Sequence, residues 1–203
     1  MSHIMKLRRL YALKSIYREA PVHDQAGKRH ESAAEHVWSC LMLADYFLTL
    51  MDELERGPKL DREHVYELIM YHDIVEIEAG DTPIHAQSAH DNHITNQEKR
   101  KEKQGKEMKA MASLAKQFPP SVGKKLISLF TEFEERKTAE ARFAKAMDVM
   151  DATMHELDYP WHWKGWNEAL VRSQYGKAAA EFEIVNDAFE ECLAHVRENK
   201  FYQ

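Results

Sequence analysis

The sequence of 203 residues predicts an all-α fold in a single compact domain. Seven Gly and six Pro give few turn-forming residues, and long stretches of the chain contain neither. Apolar residues make up 44% of the chain and recur in these stretches at the spacing of a helix. At this length, folding hides roughly 70% of the surface that the unfolded chain exposes, so a core can form without disulfides.

The N-terminal part of the chain predicts three helices. Apolar residues recur at helical spacing until about residue 17, and the polar residues 23–30 are predicted to form a loop. Ser32 and Glu35 have the spacing of a capping box, which opens a long helix with a broad apolar face. Asp61 is placed to cap a third helix that continues to residue 75.

The C-terminal part predicts further helices after a polar loop at residues 84–96. Residues 97–109 are mostly charged and predict a solvated helix surface. Further helices are predicted after Pro119, from Thr138 to residue 157, and across residues 166–199 with a break near Gly176. Within one domain of residues 1–203, we expect a motif-bearing core at about 10–157 and a C-terminal helical extension at 158–203.

Composition and charge argue against several classes of protein. A net charge of −6 does not suit binding to a nucleic acid polymer through many phosphate contacts. The longest charge-free apolar stretch is far shorter than the ~20 residues of a membrane span, and the N-terminus has no secretory signal pattern. Cys40 and Cys192 stand far apart in apolar patterns and predict no disulfide framework. We therefore expect a cytoplasmic protein with no membrane partner.

Several residues with metal-ligating side chains fall on inward helix faces. His36 and His72 lie in register with apolar neighbours, and Asp73 follows His72 directly. A lone inward His is more often a hydrogen-bonded core residue, but an inward carboxylate needs a compensating charge, and a metal ion is the simplest one. Asp148 on a later helix is a possible fourth ligand, with Asp151 as the competing choice. Two imidazoles and two carboxylates suit one divalent Mn, Co, Fe or Zn ion with positions open for catalysis.

The order of these residues resembles the H…HD…D signature of the HD-domain metal-dependent phosphohydrolases. Residues 72–76 (HDIVE) and 80–83 (GDTP) resemble the HDxxE…GDTP pattern of the branch that includes bacterial 5′-deoxynucleotidases and their eukaryotic relatives. Residues 31–36 (ESAAEH) are similar to the lead-in of that branch to its first His, and residues 132–148 to its approach to the last metal aspartate. The resemblance spans most of the chain.

The resemblance implies the HD-domain helical fold, a homodimer and one divalent metal ion with four ligands, which are His36, His72, Asp73 and Asp148. It also implies that Glu76 and Asp81 handle the attacking water and the leaving oxygen. Their structural alternatives are a surface salt bridge for Glu76 and a turn for Asp81. Arg18 corresponds to an arginine that contacts the substrate phosphate, for which a guanidinium fork is well suited.

The function that this resemblance implies is metal-dependent hydrolysis of small nucleotides, most simply of (deoxy)nucleoside 5′-monophosphates. Two alternatives stay open: a phosphodiesterase or pyrophosphohydrolase of signalling nucleotides such as ppGpp, and a non-catalytic nucleotide-sensing module. The bacterial branch has Trp after its phosphate-binding arginine, whereas this chain has Glu19. The sequence therefore leaves the base and sugar preference open.

Three other groups of residues have both a structural and a functional interpretation. His85, His90 and His93 are interpreted as solvated loop residues, with a second metal site as the alternative. The tryptophans of residues 161–166 are expected to pack at a core edge or a subunit contact, with nucleobase stacking as the alternative. The mixed charges of residues 98–107 predict a solvated face without a role in the site.

Overall fold

The computed structural model describes residues 2–24, 27–85 and 88–202. A short helix α1 (His3–Leu10) and a 3-10 turn (Tyr11–Ser15) lead into strands β1 (Tyr17–Asp24) and β2 (Gly27–Ser32). These two strands pair as an antiparallel hairpin. The prediction of a polar loop at residues 23–30 is therefore wrong for residues 23–24 and 27–30, and residues 25–26 lie outside the described residues. Both strands are largely polar, so they lack the apolar alternation by which a half-buried strand is recognised.

The hairpin has an irregularity that matters for the site. Regular pairing in β1 is interrupted between Tyr17 and Pro21, and Pro21 has no N–H to donate to the ladder. The residues in this interruption, Arg18 to Ala20, line a cavity that is described below with the site. Irregular strand pairing of this kind changes the direction of side chains and is common beside functional sites.

Helix α2 (Ala33–Leu54) begins as the sequence predicts. The Ser32 hydroxyl accepts a hydrogen bond from the Glu35 backbone N–H, and the Glu35 carboxylate accepts one from the Ser32 N–H at 2.9 Å. The predicted capping box is thus confirmed, and it fixes the first turn that carries His36. The inward face of α2 is buried against the helices that follow.

Helix α3 (Arg62–Tyr71) is capped by Asp61, as predicted, but it ends before residue 75. The chain tightens after Tyr71 into turns with three-residue hydrogen bonds, from Ile74 N–H to the Tyr71 carbonyl and from Glu76 N–H to the Asp73 carbonyl. A short helix α4 (Glu76–Ala79) follows. The tighter winding changes the angle between neighbouring side chains and so affects where His72 and Asp73 point.

The rest of the described chain is helical except for its connections. Its elements are α5 (Gln97–Ala115), α6 (Pro120–Glu135), α7 (Ala139–His155), 3-10 turns at Glu156–Asp158 and Pro160–Trp163, α8 (Glu168–Val171), a π-helical turn at Arg172–Gly176, α9 (Lys177–Ala179) and α10 (Glu183–Glu198). Thr138 caps α7 and the tail is interrupted around Gly176, both as predicted. The π-helical turn supplies that interruption. No helix within the described residues is long and apolar enough to cross a membrane.

Two hydrophobic clusters hold the helices together. The larger one joins α2, α3, α7 and α10, with Phe143, Met147 and Phe189 almost fully buried. The smaller one joins α2, α5 and α6 around Met111 and Phe130. Because α10 packs in the same cluster as α2, the tail is part of the common core. The division at residue 157 into core and extension stays a prediction.

Replacing either of two glycines with alanine is expected to change the free energy of unfolding, with opposite sign at the two positions. A Cβ at Gly123 in α6 would lie 2.5 Å from the Ala115 carbonyl oxygen. In contrast, a Cβ at Gly105 in α5 would meet nothing within 4 Å. We expect Gly123→Ala to lower the free energy of unfolding by about 1–3 kcal/mol through overpacking. Gly105→Ala should raise it by about 0.5–1 kcal/mol because Ala is the better helix former. Urea unfolding of both variants measures this, and equal effects would contradict the close approach of α5 and α6.

Candidate active site

The imidazole of His36 lies at the centre of the site and is fully buried. Its Nδ1 is 2.5 Å from Asp151 Oδ2, and its Nε2 is 3.1 Å from Asp148 Oδ1. The two aspartates are three residues apart on α7, so one helix face supplies a carboxylate to each ring nitrogen. The Cys40 thiol lies one turn further along α2, with Sγ 3.6 Å from His36 Nε2.

His72 and Asp73 approach His36 from the turn after α3. The Nδ1–H of His72 donates to the Ile69 carbonyl at 2.7 Å, which leaves the lone pair on Nε2. That Nε2 is buried and has no hydrogen-bond partner among the described residues. It lies 3.2 Å from Asp73 Oδ1, and Asp73 Oδ2 lies 3.7 Å from His36 Nε2. The chain thus brings together the two histidines and both aspartates that the sequence predicts as ligands.

These four residues fit a divalent metal ion. Ligand atoms of His36, His72 and Asp73 lie within 4.8 Å of one another. Asp148 Oδ1 lies beside Nε2 of His36. Ligands that bind one ion at roughly 2.0–2.2 Å lie about 3.0–3.5 Å apart, close to the separations seen here. Asp73 Oδ2 is buried without a hydrogen bond in the described part of the chain. An ion would satisfy it and the His72 lone pair together.

The positions of Asp148 and Asp151 give them different chemical environments. Asp148 lines the cavity together with Asp73, whereas Asp151 is on the Nδ1 side of His36 and does not line it. An imidazole that ligates through Nε2 commonly donates its Nδ1–H to a carboxylate, which fixes the ring. The geometry therefore favours Asp148 as the ligand and Asp151 as the residue that orients His36.

The site opens into a cavity of about 470 Å³ that Glu76 and Asp81 also line. Glu76 is buried, and its Oε2 has no hydrogen-bond partner among the described residues. Burial, followed by the charges of Asp73 and Asp81, raises the pKa of Glu76 from 4.5 to about 9. Burial also raises the pKa of Asp81. Neither residue makes a salt bridge in the described part of the chain, so the surface alternative for Glu76 does not hold.

Arg18 points into this cavity from the interruption in β1. Its Nη1 is 3.5 Å from Asp73 Oδ2, and its Nε is 3.5 Å from Glu31 Oε2. Burial alone would lower the pKa of Arg18, but Asp73, Asp148 and Asp81 outweigh it and raise the pKa. The guanidinium is therefore fixed in its charged form beside the four ligand residues, within reach of an anion that binds there.

The hairpin is held in place by contacts with the end of α7 and with the 3-10 turn at Pro160–Trp163. His155 Nε2 donates to the Pro21 carbonyl at 2.7 Å, and the ring of His23 stacks on Trp161 at 5.2 Å. His155 Nδ1 also faces Glu31 at 3.5 Å. His155 is not among the residues predicted from the sequence, although its position seven residues after Asp148 on the same inward helix face was a usable signal.

The loop histidines and the tryptophans singled out in the sequence differ in whether they line the cavity. His93 lines the cavity, His85 faces Glu19 at 3.2 Å and His90 is exposed. These histidines do not form a metal-binding group within the described residues. Trp163 is buried in the core and, with Trp166, lines the cavity, whereas Trp161 is 51% exposed.

The prediction of a wholly solvated face on α5 is wrong at two positions. Lys103 lines the cavity, and the buried Glu107 accepts a hydrogen bond from its Nζ at 2.5 Å. Lys145 on α7 also lines the cavity and donates to Asp148 Oδ2 at 2.5 Å. Lys145 is not among the residues predicted from the sequence, although its position one turn before Asp148 was a signal.

The fold and these residues define the class of protein. A model of the HD domain family matches residues 10–188, which is most of the chain, and the chain therefore belongs to this family. It is 26% identical over 193 residues to the 5′-deoxynucleotidase HDDC2 of Xenopus laevis, covering 92% of this chain and 86% of that protein. It is 26% identical over 153 residues to the 5′-deoxynucleotidase HDDC2 of Homo sapiens, covering 75% and 66%.

Solved structures lead to the same class. A crystal structure described as a predicted metal-dependent phosphohydrolase from Magnetospirillum magnetotacticum MS-1 is similar at a TM-score of 0.67 and 26% sequence identity. The similarity covers 95% of this chain and 94% of that one. The predicted family and the all-α HD-domain fold are therefore confirmed.

Proposed function

We propose that this protein is a metal-dependent phosphomonoesterase that acts on (deoxy)nucleoside 5′-monophosphates. One observation carries the proposal: two histidines and two aspartates converge at a cavity that also contains Arg18, Glu76 and Asp81. The names of the relatives, 5′-deoxynucleotidases, support the choice of substrate. The cavity of about 470 Å³ is in the range of small-molecule sites.

In this proposal one divalent Mn, Co, Fe or Zn ion is held by His36, His72, Asp73 and Asp148. When bound, such an ion lowers the pKa of a water molecule from 15.7 toward ~7 and polarises a phosphoryl oxygen. Asp151 holds the ring of His36 in the ligating orientation through Nδ1.

In this proposal the other cavity residues transfer protons and bind the phosphate and the nucleoside. Glu76 has a buried carboxyl group at the cavity wall, and without a metal its pKa is raised to about 9. Its charged carboxylate would be favoured beside a bound divalent cation and would then be a base for the attacking water. Asp81 also lines the cavity, and in this proposal it gives a proton to the leaving oxygen of the nucleoside. Arg18 neutralises the phosphate and orients it through its planar fork. The aromatic rings of Trp166 and Tyr175, 6.2 Å apart, provide an apolar side of the cavity for the nucleoside.

The same proposal includes a homodimer in the cytoplasm. Trp38, Met42 and Tyr46 form a stripe at four-residue spacing on the outer face of α2, and they are 63%, 54% and 60% exposed. Such a stripe of large apolar side chains suits a subunit contact.

A hydrolysis panel tests the proposed activity. The protein, with its metal content measured, is incubated with nucleoside monophosphates, ppGpp and cyclic nucleotides, and released inorganic phosphate is measured. We expect phosphate from 5′-monophosphates and none from the cyclic nucleotides. Release of pyrophosphate from ppGpp, or opening of a cyclic diester without phosphate release, would favour the alternative enzyme class. Binding of nucleotides without turnover of any of them would favour the sensing module.

A further inference from the structure

Three nitrogen-bearing side chains from three elements line the cavity that Asp148 also lines. Lys145 comes from α7, Lys103 from α5 and His93 from the loop before α5. Neither the family resemblance nor the proposed function above uses them. Lys145 is far along the chain from the other two residues, and the charges of both lysines act on His93, so the fold brings the three side chains near one another.

Lys145 has hydrogen-bonding capacity left for a ligand. Its Nζ donates to Asp148 Oδ2 at 2.5 Å, and its side chain is 27% exposed. An ammonium has three N–H donors, and this is its one hydrogen bond within the described residues. Asp148 uses its other oxygen, Oδ1, toward His36 Nε2 at 3.1 Å. An ion bound through Oδ1 therefore leaves the contact between Lys145 and Oδ2 intact.

Lys103 places a second ammonium on the same wall. Its Nζ is 2.5 Å from Oε1 of the buried Glu107, which lies one turn further along α5. This carboxylate anchors the stem of Lys103 against the helix, and the residue itself still lines the cavity.

The environment of His93 indicates a positive local potential. Burial, followed by the charges of Lys103 and Lys145, lowers the pKa of His93 to about 4. The imidazole is thus neutral near pH 7, with one nitrogen available as a donor.

The charge balance of the cavity shows why an anionic substrate needs these lysines. Among the described residues, seven carboxyl groups line the cavity, against four Lys and Arg side chains. One of the seven, Glu76, has its pKa raised to about 9 and does not add a full negative charge near pH 7. A phosphate monoester brings up to two further negative charges. Arg18 already faces Glu31 and Asp73, so cations at other positions are needed to offset the acidic lining.

We propose that Lys145 and Lys103, with His93 beside them, form an anion-binding wall that contacts the phosphoryl oxygens of the substrate. The proposal rests on the proposed function, because it assigns residues to the phosphate of that substrate. Lys145 is then a substrate-binding residue that touches both a ligand aspartate and the phosphoryl group. The competing role for Lys145 is purely structural, in which it only orients Asp148.

Binding of inorganic phosphate to the metal-loaded protein, measured by calorimetry, distinguishes these roles. We expect Lys145→Met to weaken phosphate binding by about 10- to 100-fold, since a charge-assisted hydrogen bond is lost. Lys103→Met should weaken it by a smaller factor, and Lys145→Arg should retain most of the affinity. Lys101→Met removes the same charge from an exposed position of α5 and should leave binding unchanged.

Metal content, measured on each variant, decides between binding and positioning. The proposal requires that Lys145→Met keeps its metal while losing phosphate affinity. Loss of metal from this variant, or unchanged phosphate affinity with metal retained, would overturn it, as would a wild-type protein that binds no phosphate. Failure of the proposed function looks different: phosphate binds with the expected dependence on Lys145, but no nucleoside monophosphate is hydrolysed.

Discussion

An Asp73→Ala protein is expected to lose its bound metal and its hydrolytic activity together. Asp73 contributes both carboxylate oxygens to the centre, Oδ1 beside His72 Nε2 at 3.2 Å and Oδ2 beside His36 Nε2 at 3.7 Å. Burial would raise the pKa of Asp73, but His72, His36 and Arg18 lower it below the usual range, so the carboxylate is charged. Residues that only orient a ligand typically contribute 10–100-fold to metal affinity, so removing a ligand itself should cost more than ~100-fold.

Elemental analysis and phosphate release on the same preparation measure this result. Asp158→Ala is the matched control, because Asp158 is exposed and follows α7 outside the cavity lining. The control should keep both metal and activity, and circular dichroism should show that both variants fold. Full phosphatase activity in a metal-free Asp73→Ala protein would contradict both the ligand assignment and the proposed mechanism.

The helices and their first residues could be predicted from sequence because their signals are local. Ser32 with Glu35, Asp61 and Thr138 all cap helices where their spacing predicts. The convergence of His36 with residues 72 and 73 was expected from the family motifs, because these residues are far apart along the chain. Local rules were sufficient wherever the interacting groups lie within a few residues of one another.

The hairpin and the basic wall depend on contacts between distant parts of the chain. The β1 strand is held by His155, 134 residues away along the chain from Pro21, and nothing in the composition of residues 17–32 indicates such a partner. Likewise, Lys103 has the same local sequence environment as its solvated neighbours, and only the packing of α5 turns it toward the cavity. Tertiary contacts decided both cases, and one sequence does not record them.

The second large effect is expected at Glu76, where Glu76→Gln should lower kcat by about 10²–10⁴-fold, the usual contribution of a general acid or base. The amide has almost the same shape but cannot take a proton from water. Because Glu76 is not among the four ligands, the metal content should stay that of the wild type. Glu63→Gln on the exposed face of α3 is the matched control and should change neither quantity. Loss of metal from Glu76→Gln would instead make Glu76 a ligand.

The pH dependence of stability gives an independent test of the same carboxylate. The folded-state pKa of Glu76 is raised from 4.5 to about 9 by burial, then by Asp73 and Asp81. A raised folded-state pKa contributes stability that is present below the unfolded value and is lost as pH rises toward the folded value. The metal-free wild type should therefore lose stability relative to metal-free Glu76→Gln between about pH 4.5 and 9. Urea unfolding at both ends of this range measures the difference. If the two proteins respond to pH alike, burial does not raise the pKa of Glu76 in the metal-free protein.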